Sequence, residues 1–422
     1  MKIGILGGTF NPIHNGHIFI AKKAMELLHL DKMIFLVAGE PPHKGVAENT
    51  SRFARNEMVK LAIAGSEGIS SSDFEIFSVK KDYTYKTVEL LSKEYPLDEF
   101  FFIIGEDSLF AFESWMHPEI IAKYVTIVSF GRKIKYDNGA KINDAYGISP
   151  EEKAKALSLK YQGNFLTLST EELPYSSSEI RDILLKREDI DDFPDSLHEM
   201  LPEKVLDFIL ERRLYEKFAL IRGSERTFDF DGITETLKGV LKKKRFIHTL
   251  GVADTCAALA ERYCLNEEIT RAAGLLHDNA KNIPTESYFE ICAENDLDVT
   301  EAEKKAPYLL HAKVGAFLAK AKYGVVDSGI IHAISVHTTG EPAMDLLSEI
   351  LFVSDYIEPN RNKAKNLAEI REAAFYDLNL ATYMILSDTL DYLRETKAEI
   401  DEKTEETYRY YKKIIDDKRT LY

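Results

Sequence analysis

The sequence is poor in the features that would staple a chain or hold it to a membrane or a polyanion. Cysteine occurs only three times in 422 residues, as Cys256, Cys264 and Cys292, with no CxxC pair. The odd count and the helical, apolar flanks argue against a disulfide framework and predict buried, reduced thiols. No apolar run approaches the length of a membrane span. The opening segment MKIGILGG is broken at Gly7-Gly8, too early for a secretory apolar core, so no membrane partner is expected and the chain reads as cytoplasmic. Positive charge is also in deficit. Against 70 Asp and Glu stand 54 Lys and Arg, and the formal charge of -16 argues against nucleic-acid backbone or anionic lipid as a partner. Small phosphorylated molecules stay open, because they need only a local basic pocket. There is no internal repeat and no low-complexity tract. Oligomeric state is left open, a homo-oligomer included.

What is present is enough apolar residue, 45%, for ordinary cores, spread over a length that favours two domains. Residues 1–215 alternate strand-like runs (Lys2–Leu6, Met33–Ala38, Phe100–Ile104, Val125–Phe130) with amphipathic stretches such as His17–His29 and Arg52–Ala64. That rhythm predicts an α/β Rossmann-like domain with a doubly wound parallel sheet, whose ligands sit beyond the carboxyl ends of the strands. From residue 231 to 422 the spacing turns helical, in Ile233–Lys243, His248–Tyr263, Glu267–Leu276, Ala312–Tyr323 and Leu346–Ile357. This half reads as all-α, with charged helices in its last forty or so residues. Residues 216–230, which mix charge with Arg222-Gly223-Ser224, read as the linker.

The densest signal is GGTFNPIHNGHI, residues 7–18, directly after the first strand. Gly7 and Gly8 let backbone amides approach a phosphate. A helix starting near Asn15–Gly16 offers its amino end to an anion. His14 and His17 flank the same spot and can donate hydrogen bonds to a phosphate whose charge grows during reaction. Two histidines at this spacing could also be half a metal site, but no Cys, Asp or Glu stands beside them.

The full string resembles the HxGH signature of the nucleotidyltransferase superfamily, and its form is most similar to bacterial nicotinate-nucleotide adenylyltransferases. Further strings agree in order: GEPPHKG with Lys44, RFARNEM with Arg52 and Arg55, DYTYKTVELL with Thr84, GEDSLFAFESW with Gly105, Asp107 and Trp115, and SSSEIR from Ser176 to Arg181. Lys80 and Lys81 stand where that family has an acidic-and-arginine run. The resemblance implies that Gly7, Gly8, Thr9 and Phe10 belong to the nucleotide site. ATP's adenosine would lie near Gly105, Asp107 and the turn of Ser176, Ser177 and Ser178. It implies that His14, His17, Lys44 and Arg181 meet the phosphates, and that Trp115 and Thr84 lie by the pyridine ring of nicotinate mononucleotide. Magnesium would accompany ATP, and catalysis would rest on positioning and charge without a protein nucleophile. Two readings have simpler rivals. Trp115 could be core, and Ser followed by Glu before an apolar run is also a plain capping pattern.

The helical half carries RFIHTLGVA, LLHDNAK, LLHAKVGA, HTTG and SDYIEPNR, with His248, the adjacent His277-Asp278, His311, His337 and Asp355 as candidate ligands. Imidazole plus carboxylate suits a transition metal. His332 is set aside, because a lone histidine on an apolar helix face is more often a satisfied core residue. The order H…HD…H…H…D resembles the HD phosphohydrolase superfamily, and the strings are similar to a bacterial branch that cleaves diadenosine tetraphosphate into two ADP. The resemblance implies that His248, His277, Asp278 and Asp355 hold a metal, iron or another transition metal. Arg245, Lys281, His311, His337 and Arg361 would then line the polyphosphate, with Asp278 also a candidate proton acceptor. His311 and His337 could equally serve a second metal.

The expected function is therefore bifunctional: adenylyl transfer from ATP to nicotinate mononucleotide, and symmetrical hydrolysis of diadenosine polyphosphates. The rivals are a helical half that senses nucleotides without cutting them, and a transferase with another acceptor such as pantetheine phosphate.

Overall fold

In the computed structural model, which describes residues 1–39, 50–77, 84–132, 136–137, 140–141, 147–170, 175–186, 194–216 and 228–420, the apolar runs of the first half lie side by side. They are β1 (Lys2–Gly8), β2 (Lys32–Val37), β3 (Ile69–Ser72), β4 (Glu99–Gly105), β5 (Thr126–Arg132) and, later in the chain, β8 (Phe165–Thr170). Among the described residues these form one sheet in the order β3-β2-β1-β4-β5-β8, every pairing parallel. A short antiparallel pair, β6 (Tyr136–Asp137) and β7 (Ala140–Lys141), lies between β5 and β8 in sequence. The helices of this unit are α1 (Asn15–Leu28), α2 (Arg52–Ile63), α3 (Thr84–Glu94), α4 (Glu106–Phe110), α5 (Pro118–Tyr124), α6 (Pro150–Tyr161), α7 (Ser177–Lys186), α8 (Ser196–Met200) and α9 (Glu203–Glu211).

The central strands are buried on both faces, which is why β1 and β4 read as nearly unbroken apolar runs. Ile3, Ile5, Phe100, Phe102 and Ile104 share one core with Leu109, Phe112 and Ile121. Strand order reverses between β1 and β4, and in an open sheet that reversal opens a crevice at the carboxyl ends. Gly8 and Gly105 end those two strands, so both expected nucleotide segments start at the same crevice. The two edge strands escape sequence reading, because β3 is Ile followed by three serines and β8 alternates weakly.

The chain divides into two compact units, Met1–Tyr215 and Glu216–Tyr422. The second unit is helical throughout its described residues: α10 (Phe230–Val240), α11 (Lys243–Tyr263), α12 (Glu267–Leu276), α13 (Thr285–Glu294), α14 (Glu301–Lys305), α15 (Leu310–Ala321), α16 (Ser328–Val336), α17 (Leu346–Ile357), α18 (Leu367–Ala374), α19 (Leu378–Glu395) and α20 (Glu402–Thr420). The stretch expected as one helix to Lys243 breaks at Leu241-Lys242, and α11 takes Lys243 as its first residue. The helix bearing His248 thus begins earlier than its spacing suggested. Cys256 and Cys292 are buried, as expected of them, whereas Cys264 is half-buried in the left-handed cap of α11. No helix among the described residues is long and apolar enough to cross a membrane.

Helices α11 and α12 approach closely at Gly274. A Cβ there would lie 2.9 Å from Ala253 Cα and 2.9 Å from Cys256 Sγ, and a backbone carbon cannot swing aside. Overpacking of this kind costs about 3 kcal/mol, against about 1 kcal/mol gained in helix propensity over glycine. Gly274→Ala is therefore expected to destabilise the helical unit by about 2 kcal/mol in urea titration followed by circular dichroism.

Candidate functional sites

In the first unit the chain leaves β1 at Gly8, turns through Thr9 and Phe10, and enters α1 with His14 as its N-cap. Packing accounts for both glycines. A Cβ on Gly7 would sit 2.8 Å from Phe102 Cζ, and one on Gly8 would sit 2.9 Å from Phe10 Cζ. Phe10 holds the left-handed φ of 49° that reverses the chain. Its ring is 3% exposed and meets His17 edge-on at 5.1 Å, so it floors the site, and any nucleotide contact falls to its backbone.

The backbone N–H of His14 donates to His17 Nδ1 at 3.3 Å. An Nδ1 that accepts must be unprotonated, so His17 carries its proton on Nε2 as a donor. The two rings lie 3.8 Å apart, and Gly16 leaves room for the His14 imidazole, since a Cβ would meet His14 Nδ1 at 2.9 Å. Burial pushes His14 down to about 4. Burial, followed by the neighbouring His14, holds His17 well below its ordinary value. Both are neutral at pH 7. His14 Nδ1 is buried without a hydrogen-bond partner.

Around this turn stands a brace that the sequence reading did not describe. Arg55, 4% exposed on α2, donates from NH1 to Thr9 O (2.8 Å) and Ala38 O (2.6 Å), and from NH2 to Gly39 O (2.7 Å). Arg181 NH1 donates to Asn11 O at 2.7 Å, Ser177 Oγ to Pro12 O at 2.9 Å, and the buried Tyr215 hydroxyl to Asn11 Oδ1 at 2.5 Å. Of the expected nucleotide contacts, Ser176 caps α7 by accepting from Glu179 N, and Ser178 accepts from Arg181 NH2. The capping reading of SSSEIR is thus realised, and Arg181 here positions the turn.

At the end of β4, Gly105 caps α4 and a Cβ there would meet nothing within 4 Å, leaving its backbone open. Asp107 is exposed in the first turn of α4. Trp115 is half-buried against Phe112 and Phe102, at ring separations of 5.5 and 6.2 Å, which is a core contact with one side left over. Thr84 opens α3. Lys44, with the rest of the GEPPHKG loop after Gly39, lies outside the described residues, as do Lys80 and Lys81.

In the second unit His248, His277, Asp278, His311, His337 and Asp355 converge. His277 is the C-cap of α12, and Asp278 follows in the turn just past it. Leaving the helix is what lets adjacent residues face one point, with His277 Nε2 3.3 Å from Asp278 Oδ2. His248 comes from α11 and Asp355 from α17, with Nε2 and Oδ1 2.9 Å apart.

The histidines share one device. His277, His311 and His337 each place Nδ1 at 2.5–2.7 Å from the carbonyl three residues earlier, at Gly274, Tyr308 and Ile334. His248 Nδ1 faces Glu358 Oε1 at 3.2 Å. A carbonyl can only accept, so Nδ1 holds the proton and Nε2 turns a lone pair to the centre. Gly251 makes the Glu358 contact possible, because a Cβ there would lie 2.5 Å from Glu358 Oε2. Arg371 staples the following turn by donating to Ile357 O, Glu358 O and Arg361 O. His332 pairs with Glu341 instead.

Asp278 is 1% exposed. Burial opposes its charge, and the cations of Lys281 and Arg245 beside it offset that in part. Burial, then His311 and His277, pushes His337 down to about 3. The atoms His248 Nε2, His277 Nε2 and Asp278 Oδ1 are buried without hydrogen-bond partners. Two overlapping trios, His248-His277-Asp355 and His277-Asp278-His337, each bring ligand atoms within 4.8 Å of one another. Orphaned lone pairs from imidazole and carboxylate fit a transition-metal ion. His311 stands in neither trio, and its Nε2 accepts from Lys281 Nζ at 2.9 Å. Arg245 NH1 donates to Asp278 Oδ2 at 2.6 Å, and Arg361 NH2 lies 3.6 Å from Asp355 Oδ1. A cavity of 620 Å³ opens beside this centre, lined by Lys242, Lys244, Arg245, His248, Lys281, Asn282, Glu358 and Arg361.

The fold and turn of the first unit are those of a nucleotidyltransferase, and the second unit is a metal-dependent phosphohydrolase domain of HD type; the protein is an enzyme. The Cytidylyltransferase-like family model matches residues 5–183, and the HD domain model matches residues 245–360. A Mycoplasma genitalium protein named probable nicotinate-nucleotide adenylyltransferase/Ap4A hydrolase is 30% identical over 365 residues, covering 86% of this chain and 89% of its own. A Clostridium botulinum (strain Okra) protein named probable nicotinate-nucleotide adenylyltransferase is 37% identical over 212 residues, 50% of this chain and 98% of its own. Among solved structures, one described as a predicted HD superfamily hydrolase involved in NAD metabolism from Clostridium acetobutylicum is 38% identical. It covers 44% of this chain and 97% of that one, at a TM-score of 0.43. The chain belongs to the nicotinate-nucleotide adenylyltransferase family and carries an HD domain after the transferase unit.

Two consequences are measurable. Arg55→Met strands three carbonyls, at about 1 kcal/mol or more each. Transferase kcat/KM is expected to fall about a hundredfold while hydrolysis by the second unit is unchanged. Burying a neutral His14 leaves the unfolded chain binding more protons between pH 6.5 and 4. Stability of the first unit should therefore be full above pH 6.5 and fall by about 3 kcal/mol as pH drops to 4. The fluorescence of Trp115, the chain's single tryptophan, reports this unit alone, and His14→Asn should remove the His14 share of the slope and leave that of His17.

Proposed function

We propose that the first unit transfers AMP from ATP to nicotinate mononucleotide, giving deamido-NAD and pyrophosphate, and that the second hydrolyses diadenosine tetraphosphate symmetrically to two ADP. The first reading is supported by the imidazole-capped turn at the strand-order reversal together with the names of the relatives. A phosphate oxygen of the mononucleotide attacks the α-phosphorus of ATP as the bond to pyrophosphate breaks, so no protein nucleophile is needed. His17 donates its Nε2–H to the phosphate and His14 lends a second neutral donor. Neutral donors strengthen as the phosphate gains charge, without offering a proton to lose. Arg55, Arg181 and Tyr215 keep the turn in register. Magnesium arriving with ATP neutralises the polyphosphate.

The observation that carries the second reading is the set of four histidines whose protons all sit on Nδ1, aimed around one buried carboxylate. When bound, a transition-metal ion supplies Lewis-acid activation of water and phosphate. His248, His277, Asp278 and Asp355 would hold it. Glu358 fixes the His248 tautomer, Arg245 and Arg361 hold the carboxylates and face the cavity, and Lys281, oriented by His311, would meet the negative charge gathering on the leaving ADP. A merely sensing unit would have no need of the complete ligand set.

His17→Ala is expected to lower pyrophosphate release from ATP and nicotinate mononucleotide at least about a hundredfold and leave ADP production intact. Asp278→Ala should do the reverse and strip the metal found by elemental analysis. Each variant controls for folding of the other. An active His17→Ala transferase, or a metal-free Asp278→Ala chain that still yields ADP, would count against the respective assignment.

A further inference from the structure

The cavity beside the metal ligands holds more positive charge than the centre uses. Five cations line it, Lys242, Lys244, Arg245, Lys281 and Arg361, against one acid, Glu358. Glu358 is occupied, its Oε1 facing His248 and its Oε2 accepting from Asn360 N and Nδ2. Three of the cations are engaged inside. Arg245 is bonded to Asp278, Lys281 to His311, and Arg361 to Asp355 O. Lys242 and Lys244 differ. Both are exposed on the cavity wall, and among the described residues neither side chain has a hydrogen bond or ion pair to the protein.

Their placement on α11 matters. Lys244 precedes His248 by four residues, so it shares that ligand's helix face about 6 Å further toward the amino end. Lys242, the N-cap, has extended backbone just before the first turn of that helix and lines the same cavity. The run Lys242-Lys243-Lys244-Arg245 packs like charges together on one helix end, a self-repulsive arrangement that a bound anion relieves. The anion is an elongated one: the inner cations serve the phosphate at the ligand cluster, and the outer pair stands one helical turn beyond it. A nucleic-acid backbone fits less well, since the rest of the chain brings the formal charge to -16 and the cations are gathered in one cavity.

We infer that Lys242 and Lys244 form an outer phosphate subsite that selects substrates by the length of their phosphate chain, favouring four phosphates over three. This rests on the hydrolytic reading above, and names the part of the cavity that measures the substrate. The two lysines touch only phosphates remote from the bond that breaks, so they act through binding.

The test is initial-rate hydrolysis by the metal-loaded full chain of diadenosine triphosphate and tetraphosphate, comparing wild type with Lys242→Ala/Lys244→Ala. For the tetraphosphate, kcat/KM should fall about tenfold through KM, with kcat held within about twofold. For the triphosphate the change should stay below about twofold. Lys242→Arg/Lys244→Arg should restore the preference, and raised salt should erode it. Equal losses on both substrates, or no loss on either, would overturn the inference. If wild type cleaves neither dinucleotide, the hydrolytic reading fails by itself. Calorimetric titration of the full chain with inorganic tripolyphosphate then decides the subsite. Weaker binding in the double alanine variant upholds it and unchanged binding removes it, because the transferase unit contributes equally to both.

Discussion

A carboxylate taken out of water is the constraint around which the helical unit is arranged. An isolated buried Asp278 would cost several kcal/mol, and only positive charge or aligned donors can offset that. Yet three of its neighbours are imidazoles already committed to backbone carbonyls through Nδ1, so they offer lone pairs where donors would be wanted. Arg245 and Lys281 compensate in part. The remaining mismatch, Oδ1 and two Nε2 atoms without partners, is a polar void shaped for a cation. Metal affinity and fold stability are thus two faces of one arrangement, since the geometry that makes the apo centre electrostatically poor makes the loaded centre rich.

The transferase unit solves a related problem by other means. It too must meet phosphoanhydrides, but it offers neutral imidazoles, backbone and a helix start. Neutrality depends on burial, and burial depends on Phe10 beneath His17 and on glycine at position 16. The two units therefore respond differently to their surroundings. One is tuned by desolvation of bases, the other by charge compensation around an acid.

Much of this was legible beforehand, for identifiable reasons. The central strands and the helices Glu267–Leu276 and Leu346–Ile357 announce themselves because burial on one or both faces forces apolar periodicity. The edge strands do not, since Ile69–Ser72 is covered on one side only and carries serine. The candidate metal ligands stood out because histidine beside aspartate is rare at the end of an apolar helix. Glu358 did not, although an acid one turn after Asp355 was there to see; what identifies it is the absent Cβ of Gly251 on a different helix. Arg55 was visible as a residue and invisible as a brace, because three carbonyl acceptors scattered over residues 9 to 39 leave no sequence pattern. Arg181 shows the converse. Its string matched a phosphate-binding signature, while its bonds in this structure run to Asn11 and Ser178.

Tyr215 closes the first compact unit and at the same time reaches back to Asn11, in the turn that precedes His14. Completion of the transferase pocket is therefore deferred to the last residue before the junction. A ribosome must emit the entire first unit before that pocket can settle, and a genetic splice placed even a few codons upstream would remove a hydroxyl from it.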